Sequence, residues 1–166
     1  MFKIVVIADT HMPRMAKTIP KKLLSDLEAA NLVIHVGDVQ TVEVLKAFEK
    51  FAPLVGVYGN VDDSDIQSRF PNSLLLELDN LTIGITHGHG KSRTTEKRAI
   101  EKFQFEDVDI IIFGHSHIPI LKQYEDILLF NPGSPTDKRR EKQFSYGIIE
   151  ISEYVNIKHI FYDDKS

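Results

Sequence analysis

The chain contains no cysteine among its 166 residues, and only nine glycines and seven prolines. Without cysteine there can be no disulfide or thiolate metal site, so any metal must be held by oxygen and imidazole nitrogen atoms. The low glycine and proline content excludes fibrous and low-complexity classes. Hydrophobic residues make up 42% of the chain and charged residues 27%, which is typical of a globular protein. At this length we expect one domain over residues 1–166.

Strong charge of one sign and long apolar runs are also missing. The net charge is only -4, with lysine and arginine scattered along the chain, which argues against a nucleic-acid partner. The apolar run at residues 2–8 is too short to span a membrane, and the polar residues that follow it do not suit a signal-peptide cleavage site. We therefore expect a cytoplasmic protein without a membrane partner. A homo-oligomer is left open.

The first third of the chain has the pattern of a β-α-β-α-β unit. Near-continuous runs of valine, isoleucine and leucine suit parallel strands that are covered on both faces. Two segments between these runs place their apolar residues on one helical face. The predicted strands are 2–8, 32–36 and 53–58, and the predicted helices are 20–30 and 41–51.

The remaining chain is mostly strands. Residues 61–69 form a polar stretch, and Asp79-Asn80 is a plausible hairpin turn between strands at 74–78 and 81–85. A third helix is predicted at 95–105. Further strands are predicted at 110–113, 118–124, 127–130, 144–151 and 155–161. Parallel units followed by hairpins indicate an α/β fold in which two sheets pack face to face with helices outside.

Polar clusters follow five of the apolar runs, at the point where each run ends. In open α/β sheets, ligands bind in the crevice beyond the carboxyl ends of the strands, so these clusters should meet at one edge. Their glycines let the backbone turn sharply or be approached closely. The clusters read Asp9-Thr10-His11, Gly37-Asp38-Val39, Gly59-Asn60-Val61-Asp62, His87-Gly88-His89-Gly90 and Gly114-His115-Ser116-His117.

Spacing within the clusters predicts chelating pairs. Residues two apart on an extended chain point to the same side, which pairs Asp9 with His11 and His115 with His117. Imidazole and carboxylate are ligands for manganese, zinc, iron or nickel. The candidates are too many for one ion and suit two divalent cations that share a carboxylate. They are Asp9, His11, Asp38, Asn60, His87, His115 and His117.

The charge of such a site indicates the class of substrate. Two divalent cations facing two carboxylates leave excess positive charge, which favours an anion. A hydroxide between two metal ions can attack phosphorus while both ions stabilise the charge that develops. The sequence therefore favours hydrolysis of a small phosphate ester over peptide hydrolysis, although charge alone also suits other anions.

In their order, the clusters resemble the calcineurin-like metallophosphoesterases, whose blocks run D-x-H, G-D, G-N-x-D, a lone H and G-H-x-H. The resemblance spans Asp9 to His117, and Asn131-Pro132-Gly133-Ser134 extends it toward the small phosphodiesterase branch of bacteria and archaea. It implies a four-layer α-β-β-α sandwich of two mixed sheets with helices on the outside, and a two-metal site.

The resemblance also implies which residues would hold each ion. By position, Asp9, His11, Asp38 and His117 hold the first ion, and Asp38, Asn60, His87 and His115 hold the second. Asp38 bridges the ions in this arrangement, and Asn60 also touches the phosphate. Manganese is the first expectation for both ions, with nickel, iron(II) or zinc as alternatives.

Val61 is the one departure from the wider family, many members of which carry histidine at this position as an acid catalyst. Valine cannot donate a proton, so substrates with good leaving groups should be favoured. The small branch commonly lacks that histidine as well. His89 is the nearest candidate for a replacement acid, and we treat it together with Asn60 as a catalytic candidate.

Three functions stay open at this point. A phosphodiesterase is the leading hypothesis, and a phosphomonoesterase is the close alternative. The third is a non-catalytic protein-interaction scaffold, because the retromer subunit that shares the implied fold mainly binds partner proteins. Retention of the ligand set argues against a scaffold.

Several polar residues outside the proposed ligand set are expected to have structural or solvent-exposed roles. His35 lies within an apolar run and is expected to be a hydrogen-bonded core residue. His159 has no glycine or carboxylate cluster beside it and is expected at the surface. Asp62 should support the Asn60 turn. We expect solvated charge at the basic residues that follow the clusters, namely Arg14, Lys91, Arg93, Lys138, Arg139 and Arg140.

Overall fold

The computed structural model describes Met1–Ser166 and contains ten β-strands and four α-helices. Elements of the first half are β1 (Phe2–Ile7), α1 (Lys21–Glu28), β2 (Leu32–His35), α2 (Val42–Glu49), β3 (Leu54–Gly56), α3 (Ser64–Arg69) and β4 (Ser73–Leu78). Those of the second half are β5 (Leu81–Thr86), α4 (Thr95–Lys102), β6 (Ile110–Ile112), β7 (Ile120–Tyr124), β8 (Ile127–Asn131), β9 (Phe144–Ile151) and β10 (Val155–Tyr162).

The strands form two five-stranded mixed sheets. The first has the order β10-β9-β1-β2-β3, in which β1, β2 and β3 are parallel and β9 and β10 are antiparallel to their neighbours. The second has the order β4-β5-β6-β8-β7, in which β5, β6 and β8 are parallel. In each sheet, three parallel strands therefore end at a common edge.

Three hydrophobic layers hold the fold together. On β1, Val5 and Ile7 pack under the helices of the first sheet, whereas Ile4 and Val6 pack between the two sheets. Both faces of the strand are thus buried, which explains its continuous apolar sequence. A third layer, which includes Phe103, lies between α4 and the second sheet. The predicted four-layer α-β-β-α sandwich is confirmed.

The polar stretch after Val61 differs from the prediction, because it contains helix α3. Asp63 caps this helix, since its side chain accepts a hydrogen bond from the Ile66 amide at 3.1 Å. Ile66 is fully buried and provides the only apolar anchor that the helix buries. A helix of six residues with a single buried apolar side chain shows no periodic apolar pattern, so the sequence pattern did not predict it.

No helix has the length and apolar character that a membrane crossing requires. The longest helices contain eight residues, whereas a spanning helix needs about 20.

Candidate metal centre

Asp9, His11 and His117 form the first of two clusters of potential metal ligands. All three are buried, and their donor atoms lie within 4.8 Å of one another. Asp9 and His11 follow β1, whereas His117 comes from the loop after β6 in the other sheet. The cluster therefore forms only when the two sheets pack together.

Asp38, His87 and His115 form the second cluster, with the same 4.8 Å limit between donor atoms. These residues follow β2 of the first sheet and β5 and β6 of the second, each at the carboxyl end of a parallel strand. Asp38 and His87 are buried and His115 is partly exposed. The sheet edge thus brings together the six charged or imidazole ligands that the sequence predicts.

The carboxylates connect the two clusters. Asp38 Oδ2 lies 3.6 Å from His11 Nε2 and 3.2 Å from His87 Nε2, so one oxygen faces a member of each cluster. Asp9 Oδ1 lies 3.6 Å from His87 Nε2 and 3.6 Å from His117 Nε2. This spacing suits two ions that share a carboxylate.

Four buried donor atoms at the centre lack a hydrogen-bond partner. They are Asp9 Oδ1, His11 Nε2, His87 Nε2 and His117 Nε2. Burying polar atoms without partners is costly, so a native structure rarely gathers several of them at one point. Their convergence and their chemistry fit divalent cations bound by oxygen and imidazole nitrogen.

The backbone is left-handed at five of the six cluster residues, with φ between 43° and 69° at Asp9, His11, Asp38, His115 and His117. This conformation is unfavourable for residues other than glycine and is concentrated at functional sites. It also corrects the pairing that an extended chain predicts. Asp9 and His11 do share a cluster, but His115 and His117 belong to different ones because the chain turns sharply between them.

Backbone carbonyls orient two of the imidazoles. His87 Nδ1 lies 2.8 Å from the Val36 carbonyl, and His117 Nδ1 contacts the Asp137 carbonyl. Because a carbonyl only accepts, each Nδ1 carries a proton, so it is Nε2 that faces the centre and offers a lone pair when the ring is neutral. Asp137 was not predicted from the sequence, since it lies 20 residues beyond His117. Its backbone oxygen accepts the hydrogen bond, and its carboxylate Oδ2 lies 3.8 Å from the same Nδ1 atom.

Asp62 supports the loops around Asp38, as predicted. Its carboxylate accepts hydrogen bonds from the amides of Asp38, Gln40 and Gly59 at 2.8–2.9 Å. The backbone of Gly59 passes so close to Asp38 that an added Cβ would lie 2.1 Å from Asp38 Oδ1. Glycine is therefore required at this close approach.

Residues 134–137 attach the C-terminal part of the chain to the first cluster. Ser134 Oγ donates to the Asp9 carbonyl at 2.8 Å, and Thr136 Oγ1 donates to the Thr10 carbonyl at 2.6 Å. Both hydroxyls are buried. They fix the backbone between Asp9 and His11 and explain why the motif that ends in Ser134 accompanies the cluster.

Burial and charge shift the pKa values of the centre in opposite directions. Burial raises the pKa of Asp9 to about 7 and lowers those of His115 and His117 to about 4. Burial also disfavours the charged form of His87, but the carboxylates of Asp9 and Asp38 outweigh it and raise its pKa to about 9. The two buried carboxylates therefore favour a neighbouring positive charge, whereas burial keeps the rings of His115 and His117 neutral.

Asn60 and His89 lie outside the two clusters. Asn60 is exposed on the loop beside Asp38, where the next amide, that of Val61, donates to Asp38 Oδ1 at 3.0 Å. His89 is half-buried, with its ring centroid 5.4 Å from that of His87 and 6.3 Å from that of Tyr58. Its Nδ1 atom is buried without a hydrogen-bond partner.

The remaining histidines have structural contacts. His35 is fully buried, contacts Thr10 Oγ1 at 3.0 Å and accepts from the Gly37 amide at 3.1 Å, which confirms the prediction of a core residue. The surface position predicted for His159 is wrong. Its ring is half-buried, stacks on Phe130 and hydrogen-bonds the Asn131 carbonyl at 2.7 Å. An isolated histidine in a half-exposed strand gives no sequence signal of such stacking.

In sequence, the chain is similar to known phosphoesterases. The family model of the calcineurin-like phosphoesterase superfamily domain matches residues 2–154. A probable metallophosphoesterase of Methanocaldococcus jannaschii is 36% identical over 137 residues, which cover 81% of this chain and 68% of the relative. A phosphodiesterase of the same archaeon is 32% identical over 145 residues, which cover 79% of this chain and 82% of the relative.

Solved structures share the fold along the whole chain. An archaeal phosphodiesterase superimposes with a TM-score of 0.73 and 27% identity, covering 97% of this chain and 100% of the other. Vps29 of Chaetomium thermophilum superimposes with a TM-score of 0.80 and covers 100% of both chains, but at 19% identity this likeness concerns the fold alone.

Proposed function

Because the chain belongs to the calcineurin-like phosphoesterase superfamily, we propose that it is a phosphodiesterase that acts through two divalent cations. The observation that carries the proposal is the convergence of four buried, unpartnered donor atoms from both carboxylate and imidazole groups. Divalent cations held at these atoms would activate water as the nucleophile at neutral pH and would stabilise the charge that develops on the phosphoryl oxygens.

We assign the ligands as the family resemblance implies. The first ion would be held by Asp9, His11, Asp38 and His117, and the second by Asp38, Asn60, His87 and His115. Asp38 would serve both ions in this assignment, which is supported by the distances of its Oδ2 atom from His11 Nε2 (3.6 Å) and His87 Nε2 (3.2 Å). Asn60 contributes a neutral amide oxygen and is exposed enough to touch a bound phosphate. Manganese is the expected metal.

His89 is proposed as the group that donates a proton to the departing alcohol. Its position supports this role, since it lies beside His87 and is open on one side. Burial lowers the pKa of His89, so only a minor fraction is protonated at neutral pH. We therefore expect a weak acid catalyst and a preference for diesters with good leaving groups.

Metal content and hydrolysis test the proposal together. The purified protein should contain about two transition-metal ions per chain by elemental analysis and should hydrolyse a nitrophenyl diester faster than the matching monoester. Asp38→Ala should lose both metal and turnover, whereas Asp65→Ala, an exposed aspartate on α3, serves as the matched control. Absence of metal, or an Asp38→Ala variant as active as the parent, would contradict the proposal, and faster monoester hydrolysis would indicate a monoesterase.

A second comparison tests His89. Replacing a general acid slows a reaction by about 10²- to 10⁴-fold when the leaving group needs a proton, and much less when it does not. His89→Ala should therefore slow hydrolysis of a methyl phenyl phosphodiester much more than that of a methyl nitrophenyl diester. Equal effects on the two substrates would remove His89 from the mechanism.

The rival function is that of a protein-interaction scaffold with the same fold. A scaffold does not need buried, unpartnered ligand atoms, and their retention here supports the enzyme. The hydrolysis measurement distinguishes the two functions, because a scaffold would hydrolyse neither ester at any metal concentration.

A further inference from the structure

A small groove of about 180 Å³ adjoins the candidate metal centre. It starts at Ser116, which stands between His115 of the second cluster and His117 of the first. Three cations and one carboxylate occur among its lining side chains, so it carries net positive charge. The lining residues are Ser116, Ile118, Lys138, Arg139, Arg140 and Glu141.

The cationic wall of the groove is held close to the first cluster. The Asp137 carbonyl receives the hydrogen bond from His117 Nδ1, and the chain then turns with Glu141 N donating to the Lys138 carbonyl at 2.9 Å. Arg139 lies within this turn and has a left-handed backbone, with φ of 49°. The position of Arg139 is therefore set two residues from a contact with the candidate ligand His117.

The three cations of the groove differ in their surroundings. Lys138 Nζ lies 5.3 Å from the centroid of the Phe144 ring and donates to the Lys142 carbonyl. Both arginine side chains are exposed and form no hydrogen bond or ion pair within the chain. Arg140 also lines a second groove beside Phe161, whereas Arg139 lines only the groove at Ser116 of these two.

The groove links Arg139 to the candidate metal centre. Ser116 lines the same groove as Arg139, and Ser116 stands between the candidate ligands His115 and His117.

The surroundings of the second cluster have a different character. Val61 is 47% exposed and follows the loop beside Asp38 with an apolar side chain. The half-buried ring of Tyr58 lies next to His89, which neighbours His87 of that cluster. The second cluster thus has apolar and aromatic neighbours, whereas the first adjoins a groove with an unpaired arginine.

We propose that Arg139 binds a second anionic group of the substrate, a carboxylate or a phosphate, next to the phosphate that is hydrolysed. The planar guanidinium can hold such a group with two parallel hydrogen bonds. This inference rests on the proposed phosphodiesterase function and gives it a substrate class, namely phosphodiesters that carry an additional negative charge on one substituent.

A set of matched substrates tests the inference. Three nitrophenyl phosphodiesters would be compared, in which the second ester group is propyl, carboxyethyl or trimethylammonioethyl. The manganese-loaded parent should show the highest kcat/KM for the carboxyethyl ester and the lowest for the cationic one. Arg139→Ala should reduce kcat/KM for the carboxyethyl ester by about 10- to 100-fold, as expected for one charged hydrogen-bonding partner, and leave the propyl ester nearly unchanged.

Two further variants refine the kinetic result. Arg139→Lys keeps the charge and should retain part of the preference, and Arg69→Ala removes an exposed arginine from α3 and should retain all of it. An equal reduction for all three esters in Arg139→Ala would overturn the inference, as would a parent without any preference. Absence of turnover with every ester would instead contradict the proposed function.

Binding gives a readout that does not depend on turnover. Calorimetry of the manganese-loaded protein with 2-carboxyethylphosphonate and with propylphosphonate compares the same anions without an ester to hydrolyse. The parent should bind the carboxylated compound about tenfold more tightly or better, and Arg139→Ala should bind both alike. Equal affinity in the parent would overturn the inference even if the diesters are hydrolysed.

Discussion

The two ligand clusters of the centre differ in how they are held and how they face solvent. The first, Asp9 with His11 and His117, is entirely buried, and hydrogen bonds from Ser134 and Thr136 fix the backbone around Asp9. The second opens to solvent, where its member His115 is half-buried and the neighbouring Asn60 is exposed.

This difference separates two tasks of a metal centre. A buried cluster with a fixed backbone holds an ion tightly, because its ligands are already in place and few other conformations compete. An open cluster lets water and substrate reach the ion. We therefore expect the first cluster to retain its ion and the second to exchange ions and contact the substrate.

Removing one imidazole from each cluster should have the largest effect. His117→Ala and His115→Ala should each lower the metal content by about one ion and reduce diester hydrolysis by more than the roughly 10- to 100-fold typical of changes around a metal ligand. His117→Ala should also lower the free energy of unfolding, since it leaves the Asp137 carbonyl without its donor. If either variant kept two ions and full activity, the replaced histidine would not be a metal ligand, and the assignment of one ion to each cluster would be wrong.

A chelator should remove the two ions one after the other, because the two clusters differ in exposure. With ions at 100 to 1,000 times their dissociation constants, their removal should lower the free energy of unfolding by about 3–4 kcal/mol per saturated site. Stepwise chelation followed by elemental analysis should remove the ion of the second cluster first, because His115 is accessible. Simultaneous loss of both ions would indicate that the clusters are equally open.

Most residues of this centre could be predicted from the sequence, because they directly follow apolar strands. The apolar runs of β1, β2, β5 and β6 located the edge, and the clusters after them supplied all six members of the two clusters. Spacing alone paired His115 with His117. Their division between the clusters, which the family resemblance implied, depends on left-handed backbone at both residues. Residues that act through backbone atoms, such as Asp137, leave no mark in the side-chain pattern.

The loops of the second cluster depend on Asp62, and an amide should weaken them. In Asp62→Asn, an NH₂ group would face one of the amides of Asp38, Gln40 and Gly59 that now donate to the carboxylate. We expect metal affinity to fall by about 10- to 100-fold. Calorimetric titration with Mn²⁺ would measure this. Asp63→Asn is the matched control, because asparagine also caps helices well, and an equal effect of both variants would exclude the specific role of Asp62.

His35 lies behind the first cluster and should make the free energy of unfolding depend on pH. This effect should be smaller than those of the changes described above. Burial lowers its pKa to about 3 from an ordinary value of 6.5. Its Nδ1 atom accepts a hydrogen bond from the Gly37 amide, so burial and hydrogen bonding both require the neutral imidazole. The unfolded chain therefore takes up the proton first on acidification. The stability that His35 contributes is present above pH 6.5 and is lost toward pH 3, by about 1.4 kcal/mol per pH unit.

Urea unfolding of the metal-free protein at pH 7 and pH 5 measures this contribution. The parent should lose more stability between the two pH values than His35→Gln, which has no group that titrates there. His159→Gln is the control, because His159 is only half-buried and should alter the pH dependence less. An equal loss of stability in the parent and in His35→Gln would mean that the core behind the first cluster tolerates a charge. The difference between the clusters would then depend only on the burial of their ligand side chains.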